Sequence, residues 1–164
     1  MFATEMSLAL VPTLSAFAFN LRTRGLNNVI FWAVQMPATF IFGIVLDNKK
    51  FSRRARGLMG LAIVSILVIV AWALVIAIQV KHDLTRNSKS PLWDWSDGVY
   101  AEFCVMMLLF GIGYAINQMI VMWVLSTFSN EPRLLARYGG FFKAMLSGGL
   151  CVAFGLEAGS TPYM

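Results

Sequence analysis

Hydrophobic and polar positions alternate along this chain on the scale of whole membrane crossings. Four apolar runs, at residues 27–46, 58–80, 103–128 and 139–156, are separated by shorter polar stretches. A helix needs roughly 20 predominantly apolar residues to cross a hydrocarbon core about 30 Å thick, and the four runs meet or approach that length. A fifth apolar piece, residues 7–19, has the same character but only about two-thirds of that length, so it predicts part of a helix. A secretory signal would begin with basic residues, whereas residues 1–6 carry Glu5 and no Lys or Arg. The pattern predicts an all-α, polytopic membrane bundle forming a single transmembrane domain over residues 1–164.

Charge adds orientation. Lys49, Lys50, Arg53, Arg54 and Arg56 fall between the first two spans, and loops rich in Lys and Arg stay on the cytoplasmic side. The next connection, residues 81–99, balances Lys81, Arg86 and Lys89 against Asp83, Asp94 and Asp97, and carries Trp93 and Trp95 as interfacial anchors; it is expected to face outward. The connection with Arg133 and Arg137 then returns to the cytoplasm and leaves Met164 outside. Arg22 and Arg24, on the expected outer side, run against this scheme but are outnumbered by the five-charge loop.

Composition agrees with the pattern: 59% of residues are hydrophobic, 13% are charged and the mean hydropathy is +0.71. The net charge of +5 therefore belongs to membrane-flanking loops and gives no reason to expect a nucleic-acid partner. The two cysteines, Cys104 and Cys151, lie inside predicted spans, and His82 is the single histidine. No Cys/His ligand pattern and no nucleophile with its base is present, so neither a metal site, nor a cofactor, nor an enzyme is expected.

The spans differ in what they offer a neighbour. Residues 58–80 are apolar all round, with Ser65 the one polar residue before Gln79, and suit contact with lipid. In the first span Asn28, Gln35 and Thr39 share a helical stripe, and Pro37 removes a backbone donor and predicts a kink. The third span holds Tyr114, Asn117 and Gln118 at mid-membrane depth. Buried amides there must meet another helix, water or a solute. Interhelical bonding, on the order of 1 kcal/mol per hydrogen bond, and the lining of a cavity both fit. Gly155 and Gly159 form a GxxxG spacing that permits close helix approach. Lys143 and Glu157 fall near opposite ends of the fourth span, about 21 Å apart along a helix, and are expected to reach the headgroups.

FNLRTRGLNN ahead of a span, GIVLDNKKFSRRARG after it and LARYGGFFKA opening a later one resemble the uncoordinated-ninety-three-like branch of the major facilitator superfamily, in its fungal form. Gly43, Asp47, Arg53, Arg54 and Arg56 resemble that superfamily's cytoplasmic gating motif, here the copy between helices eight and nine. The usual glycine after the aspartate is missing and the arginines are shifted along. The resemblance implies that the chain is a fragment of the C-terminal six-helix half: the end of helix seven, then helices eight to eleven, with helix twelve absent. It implies alternating access about a midplane site, and hence a transporter for an unidentified solute that Gln35, Tyr114, Asn117 and Gln118 are candidates to line. It also implies a need for the missing helices, in the same or another chain. Because the branch includes accessory proteins that regulate an ion channel or escort receptors, a non-transporting role beside a membrane-protein partner is the alternative.

Overall fold

The computed structural model describes residues 2–82, 84, 91–128 and 131–159. Asp83, Arg86, Lys89 and Met164, used above to orient the chain, lie outside the described residues. Six helices follow one another: α1 (Phe2–Ala18), α2 (Leu21–Ala33), α3 (Gln35–Asp47), α4 (Arg53–His82), α5 (Tyr100–Phe128) and α6 (Pro132–Ala158). Four stretches are long and apolar enough to cross a membrane: Leu21–Asp47, which joins α2 to α3, and the helices α4, α5 and α6. The chain is an all-α, multi-pass membrane protein.

Each crossing runs beyond its apolar run, for local reasons. Asn20 caps α2, its side-chain oxygen accepting from the Thr23 amide at 2.9 Å, so the polar turn before Asn27 is helical. Ser52 accepts from the Ala55 amide at 3.2 Å, and α4 starts at Arg53; only Lys49 and Lys50 of the five basic residues remain in the connection. Pro132 opens α6, where its missing N–H costs nothing. The α2–α3 crossing breaks at Val34, three residues before Pro37, which has no amide hydrogen to give the Ala33 carbonyl. The kink expected at Pro37 is therefore present, displaced toward the N-terminus.

Helix α5 is the hub. It touches all five other helices, and 50% of its membrane window is buried, against 22% in each of the other three crossings. Two apolar clusters hang from it. One gathers Phe19, Phe103, Met106, Met107 and Phe110 with the α4 residues Ala71, Val75 and Ile78. The other, nearer Lys49, joins Phe42, Leu46, Val64, Ile116 and Ile120. The buried α4 positions Gly60, Val64, Ala71, Val75 and Ile78 recur at offsets of three, four and seven, one stripe of a helix otherwise exposed at Leu58, Leu61, Ile66 and Ile69. Ser65 bonds back to its own helix at the Leu61 carbonyl, 2.9 Å away, and leaves that outer face apolar. Between membrane helices such clusters hold by close packing, since lipid tails are as apolar as the side chains.

Gly111 of α5 is where the break in the first crossing sits. A methyl group built there would come within 2.7 Å of the Phe31 carbonyl oxygen and 2.6 Å of the Val34 side chain. At Gly60 the corresponding obstacle is the mobile tip of Ile120, and at Gly113 there is none within 4 Å.

Candidate functional site

Polar chemistry collects at three levels. At the Trp93 end, the connection into α5 docks on the junction of α1 and α2. Trp93 and Phe19 form a short parallel bridge, with the Trp93 amide donating to the Ala18 carbonyl (2.9 Å) and the Asn20 amide to the Trp93 carbonyl (3.1 Å). Leu92, at φ 50°, turns the chain into this position. The Phe19 ring then meets Trp93, Tyr100 and Phe103 at centroid distances of 6.2, 5.9 and 4.8 Å. Thr23, wholly buried, donates to Asp94 at 2.8 Å and accepts from the Trp95 amide at 3.1 Å. Glu102 pairs with Lys81 and lies 3.2 Å from the His82 ring.

The two arginines that opposed the charge scheme have structural work here. Arg24 donates to the carbonyls of Phe19 and Ala16, closing the C-terminal end of α1, and Arg22 lies over the Trp95 ring at 5.8 Å. Their positions are set by local bonding at the α1–α2 junction.

The Thr23 hydroxyl, followed by the Trp95 amide, holds the Asp94 carboxyl below the usual carboxylate range. A carboxylate whose folded pKa is depressed contributes stability above its unfolded value, about 3.9, and loses that contribution as pH falls through the folded value. The stability difference between wild type and Asp94→Asn is therefore expected to stay constant from neutral pH down to about pH 5. It should shrink only below about pH 4, as read from melting temperatures of purified protein across pH.

The mid-membrane level holds the candidates on α5. Tyr114 is half-buried and its ring meets Phe31 at 6.3 Å and Trp32 at 6.5 Å, so it faces α2. Gln35 donates to the Phe31 carbonyl at 3.2 Å, within its own crossing, and Thr39 likewise returns to the Gln35 and Met36 carbonyls at 2.9 Å. Gln35 and Tyr114 are thus joined through Phe31, beside the break. Asn28 is exposed and does not extend that stripe; the buried amide is its neighbour Asn27, which donates to the Ser15 hydroxyl of α1 at 2.9 Å. Asn117 is buried. Gln118 accepts from the Lys143 ammonium of α6 at 3.2 Å.

That last contact gives Lys143, expected to reach the headgroups, a partner on α5. Because α6 begins at Pro132, Lys143 stands eleven residues inside it, about 16 Å along the axis. Counted from the start of the apolar run at residue 139, its Cα is four residues, about 6 Å, inside the hydrocarbon, a depth from which a lysine stem reaches the headgroups and from which, here, it reaches α5. Gln118 stands ten residues before the end of α5, about 15 Å along its axis, so the two residues are at similar distances from the helix ends at this side. Besides Gln118, the Lys143 ammonium lies over the Phe142 ring at 5.6 Å, and among the described residues no carboxylate is within ion-pair distance. The helix-start signal of Pro132 after Glu131 was present in the sequence; the apolar run alone hid it.

At the Lys49 end the motif residues divide. Arg56 donates to the Leu46 carbonyl at 2.6 Å and lies over the Trp123 ring at 5.9 Å, pinning the end of α3 to α4 and α5. Gly43 lies against Met119 of α5. Gly43 and Asp47 line a shallow groove with Met119, whereas Arg53 and Arg54 line a separate one between α4 and α5. Among the described residues, Asp47 forms no ion pair with any of the three arginines.

No family model matches the chain, and no solved structure matches it. It is 34% identical over 163 residues to an uncharacterized membrane protein of Schizosaccharomyces pombe, covering 99% of this chain and 33% of the relative. It is 34% identical over 147 residues to UNC93-like protein 1 of Arabidopsis thaliana, covering 89% of this chain and 32% of that protein. A further UNC93-like protein of Schizosaccharomyces pombe is 30% identical over 148 residues, covering 89% of this chain and 29% of its own length. The chain thus spans about a third of the length of the curated relatives it matches. With four apolar crossings around a central α5 and relatives of this kind along nearly its whole length, the chain is an integral multi-pass membrane protein, UNC93-like in sequence.

Proposed function

We propose that this chain is part of a major facilitator superfamily transporter, and that α5 and α6 form one wall of its solute path. The observation that carries the reading is the Lys143–Gln118 pair: an ammonium on one membrane-length helix held by an amide oxygen on another. An ionisable group within a membrane span is costly and faces a cavity or the bundle interior. In this reading the crossings correspond to helices eight to eleven, the remaining helices complete the path, and the motif at Gly43, Asp47, Arg53, Arg54 and Arg56 lies at the cytoplasmic gate. The chain does no covalent chemistry; Lys143 and Gln118 hold the solute, and Tyr114, Asn117 and Gln35 shape the wall toward the kinked crossing. A fixed cation in a low-dielectric wall selects against cationic solutes and favours anionic ones.

The test is solute-induced current in proteoliposomes of the native protein across a panel of organic anions and cations. An anion should give current in wild type and little or none in Lys143→Gln and Gln118→Leu, with the melting temperature little changed in Lys143→Gln, where an exposed ammonium gives way to an amide that can still bond Gln118. Absence of current throughout, together with a membrane-protein partner that co-purifies equally with wild type and Lys143→Gln, would establish the accessory role in its place.

A further inference from the structure

A second feature lies away from the Lys143–Gln118 pair, at the end that carries Arg53 and Arg54. Between α4 and α5 at the Lys49 end runs an open groove of about 710 Å3, within the size range of sites that hold small organic ligands. Its walls are apolar, from Leu58 and Leu61 on α4 to Val124 and Phe128 on α5, and Arg53 and Arg54 stand at its mouth. Leu58, Leu61 and Phe128 are each more than half exposed. Among the described residues no carboxylate lies within ion-pair distance of either arginine. Arg56, by contrast, is spent on the Leu46 carbonyl and Trp123, and so fixes the groove floor.

We infer that this groove is a binding site for an anionic phospholipid, with the phosphate headgroup on Arg53 and Arg54 and an acyl chain along the apolar walls. Guanidinium groups match phosphate oxygens bidentately. Basic pockets between helices on the cytoplasmic side are where anionic headgroups are available, and that is the side the Lys and Arg distribution assigns to this end. A free phosphate matches the arginines but leaves the groove below them empty. Another helix fills the groove and satisfies the arginines only if it also brings carboxylates to its mouth. A phospholipid satisfies both halves at once. The face is also the outer face of α4, whose exposed positions are almost wholly apolar.

Lipid retained by the native protein after extraction from phosphatidylcholine nanodiscs, made with and without phosphatidylserine and read by native mass spectrometry, tests the site. The expected result is phosphatidylserine retained over phosphatidylcholine and not displaced by inorganic phosphate. Arg53→Gln with Arg54→Gln should weaken its binding roughly thirtyfold, the scale set by about 1 kcal/mol for each of two surface arginines. Lys49→Gln with Lys50→Gln, which removes the same charge from the neighbouring loop, should change occupancy little. Leu61→Trp, at an exposed position that tolerates bulk, should fill the groove and also lower occupancy while the protein stays folded by its melting temperature. Equal losses from the lysine and arginine pairs would reduce the effect to diffuse surface charge and overturn the site. Displacement by inorganic phosphate, or no effect of Leu61→Trp, would remove the acyl chain from it and overturn it as well. None of these substitutions touches Lys143 or Gln118, so failure here leaves the reading of the solute path intact.

Discussion

Gly111→Ala should leave little folded protein, while Gly113→Ala, two residues along the same helix, should be accepted. A methyl group at 111 would sit 2.7 Å from the Phe31 carbonyl oxygen. That oxygen is backbone, at the break of the α2–α3 crossing, and it already accepts from Gln35, so it cannot swing away as a side-chain tip does. Relief requires α2 and α5 to separate, and α5 carries the contacts of every other helix. Overpacking a filled core costs about 1–3 kcal/mol, and a contact that forces a backbone apart belongs at the upper end. Valine at 111 should be worse still. At Gly113 nothing lies within 4 Å of the added carbon, and alanine is the better helix former by about 1 kcal/mol. Gly60→Ala should fall between them, because Ile120 and Phe42 can give way at their side-chain ends. The monodisperse fraction recovered after mild heating of solubilised protein would rank the three; comparable recovery of Gly111→Ala and Gly113→Ala would show that the two helices approach less closely than this.

Phe19→Ala is expected to destabilise the protein by about 3 kcal/mol or more, the scale of deleting a fully enclosed phenylalanine. The ring has no exposed surface, and Trp93, Tyr100 and Phe103 close on it from three sides. Its removal leaves a space at the point where the outer connection meets the α1–α2 junction. The Trp93 bridge and the Thr23–Asp94–Trp95 bonds depend on that placement, so the loss should be larger than the ring contacts alone. A specific consequence follows: the segment around Trp93 should become cleavable by chymotrypsin in intact membranes before the rest of the protein unfolds. Phe19→Leu, which keeps most of the volume, should restore protection in large part. Equal cleavage of wild type and Phe19→Ala would mean that the backbone bridge holds the connection without the ring.

The membrane class, the number of crossings and the polar level on α5 were legible in the sequence because each depends on local quantities: run length, hydropathy and the offsets of Tyr114, Asn117 and Gln118. The expected orientation rests on a local count as well, since Lys49, Lys50 and the arginines after them outnumber every other basic group near a span. Helix ends were less legible. An apolar run marks the part of a helix in lipid, whereas Asn20, Ser52 and Pro132 set where the backbone becomes helical, a difference of seven residues at the start of α6.

What sequence by itself determined is the solvent of this protein and the number of its crossings, because hydrocarbon accepts only apolar surface and internally bonded backbone. Which helix occupies the centre, which of Asn27 and Asn28 is buried, and that Lys143 meets Gln118 were decided only by tertiary structure. Those outcomes depend on how each helix is rotated and how closely two backbones approach, as at Gly111, and lipid, being equally apolar on every side, leaves that choice to packing between helices far apart in the chain.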